Sequence, residues 1–140
     1  MNAPTPSQTV GPFFGFALTP VEEGGAGVRV EGQVLDGAGE PVVDALLEAW
    51  HGDHFARCRT DEEGAYHFAI AAPATAINVT VFARGLLRHL NTRVYLPGAV
   101  DAALEAVDEA RRHTLVARDD GGVLRFDIRL QGHDETVFFA

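Results

Sequence analysis

The chain has 140 residues, which is the usual size of one domain built around a single hydrophobic core. Its residues are 46% hydrophobic and 22% charged, a globular balance that excludes disordered, collagen-like and coiled-coil classes. The formal net charge of −9 argues against nucleic acid and anionic membrane surfaces as partners.

The cellular compartment follows from cysteine usage and from the N-terminal residues. Cys58 is the only cysteine, so the chain forms no internal disulfide and needs no oxidising compartment. Residues 1–8 carry no positive charge and lead into no apolar stretch of signal-peptide length. No apolar run reaches the about 18 residues that a spanning helix needs. We therefore expect a cytoplasmic protein that does not cross a membrane.

The first sixteen residues do not match a strand pattern. They combine turn-forming residues with three aromatic side chains, Phe13, Phe14 and Phe16. We expect an N-terminal arm, residues 1–16, that docks on another surface, within one domain covering residues 1–140.

Alternating apolar and polar residues predict a series of short strands after this arm. The predicted strands are 28–34, 42–50, 65–70, 76–84 and 90–96. The stretch 76–84 alternates most regularly. One face carries Ile77, Val79, Val81 and Ala83, and the other carries Ala76, Asn78, Thr80, Phe82 and Arg84.

The last third of the chain adds one helix and more strands. Apolar residues at near-helical spacing predict a helix over 99–112. A hairpin is predicted from 113–118 and 123–130 around an Asp-Asp-Gly-Gly turn, followed by a closing strand over 135–139. Many short strands and one short inserted helix are typical of a mainly β protein, an antiparallel β-sandwich.

Four segments together resemble a known family, in the same order along the chain. They are TPSQTVGPFF at 5–14, the GQV, LDG and LEAW elements within 32–50, VFARGLLRHLNTRVYL at 81–96, and RFDIRLQGHDETVFF at 125–139. On these segments the chain resembles the α chains of protocatechuate 3,4-dioxygenase, within the intradiol ring-cleaving dioxygenases. The resemblance implies an immunoglobulin-like sandwich and a paired β chain that holds Fe(III).

The resemblance also implies that this chain does not hold the iron itself. In the family, the catalytic chain binds Fe(III) through two Tyr and two His, and the His residues form a His-x-His pair on one strand. The matching positions are Ala76 and Asn78, which offer no imidazole. The only tyrosines, Tyr66 and Tyr95, lie in predicted core strands. Compared with the family, the chain is shortened between residues 50 and 66 and between 70 and 76.

Five residues match family positions that line a pocket shared with the catalytic chain. Arg84 matches an arginine that reaches into this pocket, where its guanidinium would stabilise an anionic aromatic acid. Thr9, Gly11, Pro12 and Phe13 match one wall of it. The alternatives are a surface arginine at a strand end and an arm that is buried for stability alone.

The implied function is that of a non-iron α subunit. The complex would cleave protocatechuate with O₂ to 3-carboxy-cis,cis-muconate, and the lone chain would be inactive. The apolar C-terminal segment Thr136 to Ala140 also favours burial against a partner in a hetero-oligomer.

Two other readings stay open from the sequence. The first is a non-catalytic β-sandwich that serves as a binding or assembly module of dioxygenase ancestry. The second is an independent metalloenzyme that uses His51, His54 and Tyr66, with Asp53 beside the histidines on a polar loop. The absence of a His-x-His pair counts against the second. We expect Cys58 to contribute packing only.

Overall fold

Two β-sheets packed face to face make up the computed structural model, which describes residues 27–140. In chain order the strands are β1 (Val28–Leu35), β2 (Leu46–His51), β3 (His54–Arg59), β4 (Ala65–Ile70), β5 (Ala76–Phe82), β6 (Leu90–Tyr95), β7 (Arg118–Asp120), β8 (Val123–Arg125) and β9 (Ile128–Arg129). A single α-helical turn, α1 (Ala102–Glu105), and a 3₁₀ helix (Glu109–Leu115) lie between β6 and β7.

The strand order confirms the predicted mainly β sandwich. One sheet has the order β4-β1-β8-β7, and β9 also pairs with β1. The other sheet has the order β3-β2-β5-β6 and is antiparallel throughout. The first sheet departs from a purely antiparallel arrangement, because β1 pairs in parallel with β8 and with β9.

The core lies between the inner faces of the two sheets. Val30 and Phe68 project from the first sheet against Leu47, Val79 and Val81 of the second, and all five side chains are at most 1% exposed. Burying aliphatic and aromatic side chains is the main force that holds such sheets together. Cys58 is buried within the same cluster, in agreement with the packing role predicted for it.

The β2–β3 hairpin corrects two expectations for residues 42–59. Strand β2 begins at Leu46 rather than at residue 42, because Asp44 has a positive φ of 58° that a strand does not accommodate. Strand β3 was not predicted at all. Its buried residues are only Ala56 and Cys58, so the segment carries a weak hydrophobic pattern.

The predicted helix over 99–112 is wrong in its bounds. The chain forms one α-helical turn, leaves the helical conformation at Asp108, where ψ is 127°, and then forms a 3₁₀ helix that ends at Leu115. The side chains of Asp101 and Asp108 each accept a hydrogen bond from a backbone N–H of the turn that follows. Aspartate favours this capping position over a helix interior, so Asp108 starts a second helix.

The C-terminal strands are shorter than predicted. The 3₁₀ helix occupies the first half of the expected first arm of the hairpin, and the second arm is divided into β8 and β9. The predicted closing strand at 135–139 is reduced to one bridge, between Asn91 and Phe139. The hairpin turn itself is where it was predicted, with positive φ at Gly121 and Gly122. Within residues 27–140, no helix is long and apolar enough to cross a bilayer.

Candidate functional site

Strand β5 has two chemically different faces, as its alternation predicted. Ile77, Val79 and Val81 are buried in the core. Ala76, Asn78 and Phe82 lie on the outer face and are half-buried. The neighbouring strands place Trp50, Glu48, Arg93 and Asn91 beside them in register, so the outer face is a polar surface with scattered aromatic rings.

The two positions that match the family's His-x-His pair are adjacent on this outer face. Ala76 has no donor atom, and the Nδ2 of Asn78 donates to the backbone oxygen of Trp50 at 3.2 Å. The next residue on this face, Thr80, donates its hydroxyl hydrogen to Oδ1 of Asn91 at 2.9 Å. These side chains bind one another and the backbone, which gives a Fe(III) ion no hard anionic ligand here.

Neither tyrosine is available as a phenolate. The Tyr66 hydroxyl donates to the backbone oxygen of Phe126, and burial raises the pKa of Tyr66 well above its ordinary value. The Tyr95 hydroxyl donates to Oδ1 of Asp101 at 2.8 Å, and burial is again the main cause of a raised pKa for Tyr95. Both phenols therefore serve as hydrogen-bond donors within the fold.

The histidines proposed for an independent metal site lie in a tight hairpin rather than on a loose polar loop. His51 and His54 are cross-strand partners with ring centroids 5.0 Å apart, and Nε2 of His51 lies 2.6 Å from the backbone oxygen of Ala71. Tyr66 is on the other sheet. Among residues 27–140, no three His, Cys, Asp or Glu side chains are grouped closely enough to hold a metal ion.

An iron centre therefore does not fit the residues that the structure describes. The positions matching the family's histidines lack imidazoles, and both tyrosines are engaged as neutral donors. No buried side-chain nitrogen or oxygen of residues 27–140 lacks a hydrogen-bond partner that a metal could replace.

A shallow cleft of about 320 Å³ opens beside these positions and contains residues that the sequence did not single out. Arg93, the register partner of Asn78, lines it together with Asp101 and His51. The Arg93 guanidinium stacks over the Phe139 ring, 5.2 Å from its centroid, and lies 4.0 Å from Asp101. No sequence pattern singled out Arg93, and only the pairing of β6 with β5 brings it beside Asn78.

Arg84 lies just beyond the end of β5, in the loop that connects β5 to β6. Its turn is closed by a hydrogen bond from the Leu86 N–H to the Ala83 carbonyl at 3.3 Å, and Gly85 takes a positive φ of 85°. A glycine with positive φ at this position is typical of a type II turn. Half-buried Leu86 packs against the core and holds the loop in place.

The side chain of Arg84 is exposed and forms no hydrogen bond or ion pair with any other residue from 27 to 140. The next arginine of the loop, Arg88, is exposed as well. The other predicted pocket residues, Thr9, Gly11, Pro12 and Phe13, lie outside the described residues. Arg84 therefore presents a guanidinium with no partner among residues 27–140, from a well-anchored turn at the edge of the outer face.

Comparisons with known proteins agree with the resemblance seen in the sequence. A scan against models of protein families gives no match. Among curated proteins, the chain is similar to a protocatechuate 3,4-dioxygenase alpha chain from Burkholderia cepacia, with 37% identity covering 96% of each protein. A protocatechuate 3,4-dioxygenase alpha chain from Pseudomonas putida is 31% identical, covering 96% of this chain and 95% of that protein.

Solved structures give the same fold. The dioxygenase domain of a dioxygenase and carbohydrate-binding protein fusion from Streptomyces sp. SirexAA-E superposes with a TM-score of 0.61 at 25% identity, covering 93% of this chain and 99% of that one. Catechol 1,2-dioxygenase from Pseudomonas arvilla C-1 gives a TM-score of 0.57 at 21% identity, covering 83% of this chain and 57% of that one. On the identity and coverage of its curated relatives, the chain belongs to the family of protocatechuate 3,4-dioxygenase alpha chains.

Proposed function

We propose that this chain is a non-iron α subunit of an intradiol dioxygenase, which pairs with an iron-bearing β chain. The complex would cleave protocatechuate with O₂ between its two hydroxyl-bearing carbons to give 3-carboxy-cis,cis-muconate. The family membership supports this proposal, together with the replacement of the histidine pair by Ala76 and Asn78. We assign the Fe(III) to the partner chain and a cytoplasmic location to the complex.

The observation that carries the proposal is the exposed guanidinium of Arg84, which has no partner in the part of the chain that the structure describes. Arginine presents a planar fork of donors that matches a carboxylate, and protocatechuate carries one carboxylate on its ring. The Ala83–Leu86 turn sets the backbone of Arg84, so little backbone freedom is lost when the side chain binds. Arg84 would orient the substrate, and the oxidation would take place in the partner chain.

The N-terminal arm, residues 1–16, completes the pocket in this proposal. Gly11 would allow the backbone to approach the substrate closely, and Pro12 would fix the turn. Phe13 would supply a flat apolar wall for an aromatic ring, with Thr9 beside it. The arm belongs to the same single domain, residues 1–140, and reaches the partner from it.

Co-expression with a candidate β chain tests the subunit role. Iron content, visible spectrum and O₂ uptake with protocatechuate would be measured for the lone chain and for the complex. We expect iron, tyrosinate colour and ring cleavage only in the complex. Iron bound by the lone chain would refute the assignment of the metal to the partner. A colourless, inactive complex would favour an assembly module without catalytic function.

Arg84→Ala in the assembled complex tests the positioning role. A lost charge-assisted hydrogen bond of 1.5–3 kcal/mol corresponds to a loss of about 10- to 100-fold in kcat/KM. Iron content should stay unchanged, and Arg84→Lys should recover only part of the loss because lysine lacks the fork. Arg88→Ala is the matched control, since Arg88 is exposed in the same loop. Unchanged kinetics in Arg84→Ala would remove the proposed role.

A further inference from the structure

A second cleft, of about 470 Å³, lies on the other sheet and takes no part in the proposed function. The β7–β8 hairpin, the end of the 3₁₀ helix and the segment after β9 surround it. Its lining includes Arg118, Arg125 and Arg129. The volume is within the range of about 300–1,000 Å³ that is usual for small-molecule sites.

The balance of charge in this cleft is positive, although the whole chain carries a net charge of −9. Its charged lining consists of those three arginines, His113, Asp127 and Asp134. Asp134 is shared between the imidazoles of His113 and His133, at 3.3 and 3.4 Å. Asp127 approaches one guanidinium nitrogen of Arg125 only to 4.0 Å.

Two of the three guanidinium groups have no charge partner among the described residues. The side chains of Arg118 and Arg129 form no hydrogen bond or ion pair within residues 27–140. Glu31 lies opposite Arg125 in the β1–β8 register, but its carboxylate is already bound by Arg29. The cleft therefore holds two uncompensated cations and a third that is weakly paired.

The register of β7 and β8 gives a separate indication of an anion site. Arg118 and Arg125 lie directly opposite each other in this antiparallel pair, so their side chains share one face of the sheet. Like charges at directly opposed positions destabilise a sheet. A local arrangement that costs stability without a visible structural gain is characteristic of functional sites.

We propose that this cleft binds a small organic polycarboxylate. Each arginine fork can hold one carboxylate, and an anion between Arg118 and Arg125 would relieve their repulsion. Half-buried Val116 adds an apolar contact that suits the carbon atoms of an organic acid better than an inorganic ion. The site uses neither Arg84 nor the outer face of β5.

Calorimetric titration of citrate into the full chain, co-purified with its β chain at low ionic strength, tests the site. The double variant Arg118→Gln/Arg129→Gln should bind citrate at least about tenfold more weakly than the unaltered complex, because two charged donors are lost. Arg59→Gln is the matched control, an exposed arginine of β3 outside the cleft, and should bind normally. Absent citrate binding, or equal binding by the double variant, would overturn the proposal.

Thermal unfolding keeps the test independent of any folding defect. Citrate should raise the Tm of the unaltered complex and leave that of the double variant unchanged, since a ligand stabilises only the state that binds it. Without citrate, Arg118→Gln should not lower the Tm. Inorganic phosphate should give a smaller shift than citrate, and equal shifts would refute the organic ligand class. Because no ring cleavage is measured, an inactive complex would leave this result intact.

Discussion

Gly32 of β1 allows the backbone at Phe126, just after β8, to approach β1 closely. An added Cβ would lie 1.8 Å from the carbonyl oxygen of Phe126, the same oxygen that accepts the hydrogen bond from Tyr66. Backbone atoms cannot move aside as a flexible side chain can, so only glycine fits at this point. The close approach brings the chain after β8 onto β1 and the buried phenol of Tyr66.

Gly32→Ala is expected to be strongly destabilising. Forcing a methyl group into this contact should lower the free energy of unfolding by about 3 kcal/mol, the upper end for overpacking. Gly37→Ala is the control, because its added Cβ would lie 3.2 Å from Cβ of Gln131, a far looser contact than the 1.8 Å approach at Gly32. Urea unfolding of the two variants measures the difference. Similar stabilities would mean that the β1 backbone can move away from Phe126.

Asp101 links β6 to the helical region through two hydrogen bonds. Its carboxylate accepts from the Leu104 N–H, which is the main cause of the lowered pKa of Asp101, and from the Tyr95 hydroxyl. A carboxyl group with a lowered pKa in the folded state stabilises the fold above its ordinary pKa, near 3.8. That contribution is lost as the pH falls through the lowered value.

Asp101→Ala should therefore be pH-dependent in its effect. At neutral pH the loss of the cap should cost about 1 kcal/mol, and the difference from the unaltered chain should shrink once the pH falls below about 4. Denaturant unfolding of the unaltered chain and of Asp101→Ala between pH 3 and pH 7 measures this difference. Asp108→Ala, which removes the other capping aspartate, serves as the comparison. A constant difference across this range would show that the charge of Asp101 contributes nothing.

At the scale of elements, the C-terminal segment is held by side chains rather than by a strand ladder. The Arg129 N–H donates to the hydroxyl of buried Thr136, and the Thr92 hydroxyl donates to the carbonyl of Val137, both at 2.9 Å. A single backbone bridge then joins Phe139 to Asn91. This arrangement explains why an apolar segment that resembles a strand forms so little regular pairing.

Thr136→Val should loosen this segment while keeping its shape. Leaving the Arg129 N–H without its acceptor should cost about 1–3 kcal/mol. Hydrogen exchange should accelerate at the Phe139 amide and remain slow at the β5–β6 pairs. Thr75→Val is the control, since the Thr75 hydroxyl has no hydrogen-bond partner within residues 27–140. Equal protection of Phe139 in both variants would contradict the role given to Thr136.

For the whole molecule, one exposed apolar side chain offers a test of where the proposed β chain would bind. Leu87 is 89% exposed, and it lies between Arg84 and Arg88 in the β5–β6 loop. Single exposed leucines are ordinary, but this one sits beside the guanidinium that we assign to the shared pocket. Val100, 59% exposed, lies after the opposite end of β6 and offers a comparison.

Leu87→Gln should separate folding from assembly. The lone chain should keep its stability within about 0.5 kcal/mol, because the side chain makes little contact within the fold. Its affinity for the β chain should fall by about tenfold or more if Leu87 is an interface anchor. Analytical ultracentrifugation of the mixed subunits would measure this, with Val100→Gln as control. Equal affinities for both variants would place the interface elsewhere.

Local sequence patterns were sufficient to predict the fold class and most strands of the second sheet. Strand β5 alternates so regularly that its faces could be assigned from spacing alone, and the structure confirms both. Strand β3 could not be predicted, because a strand whose buried residues are alanine and cysteine carries little hydrophobic signal. The interrupted helix was missed because periodicity does not register the capping preference of Asp108.

Long-range contacts decided the remaining features. The sequence by itself determined the sandwich class, because alternation is a local property. Its resemblance to the family, which also needs only residue identity and order, marked Ala76 and Asn78 as positions without imidazoles and Arg84 as a candidate. Only the tertiary structure placed Arg93 beside Asn78 and brought Arg129 to the same cleft as Arg118 and Arg125. Strand register is fixed by the packing of whole sheets, and residues that are distant in sequence become neighbours only through it.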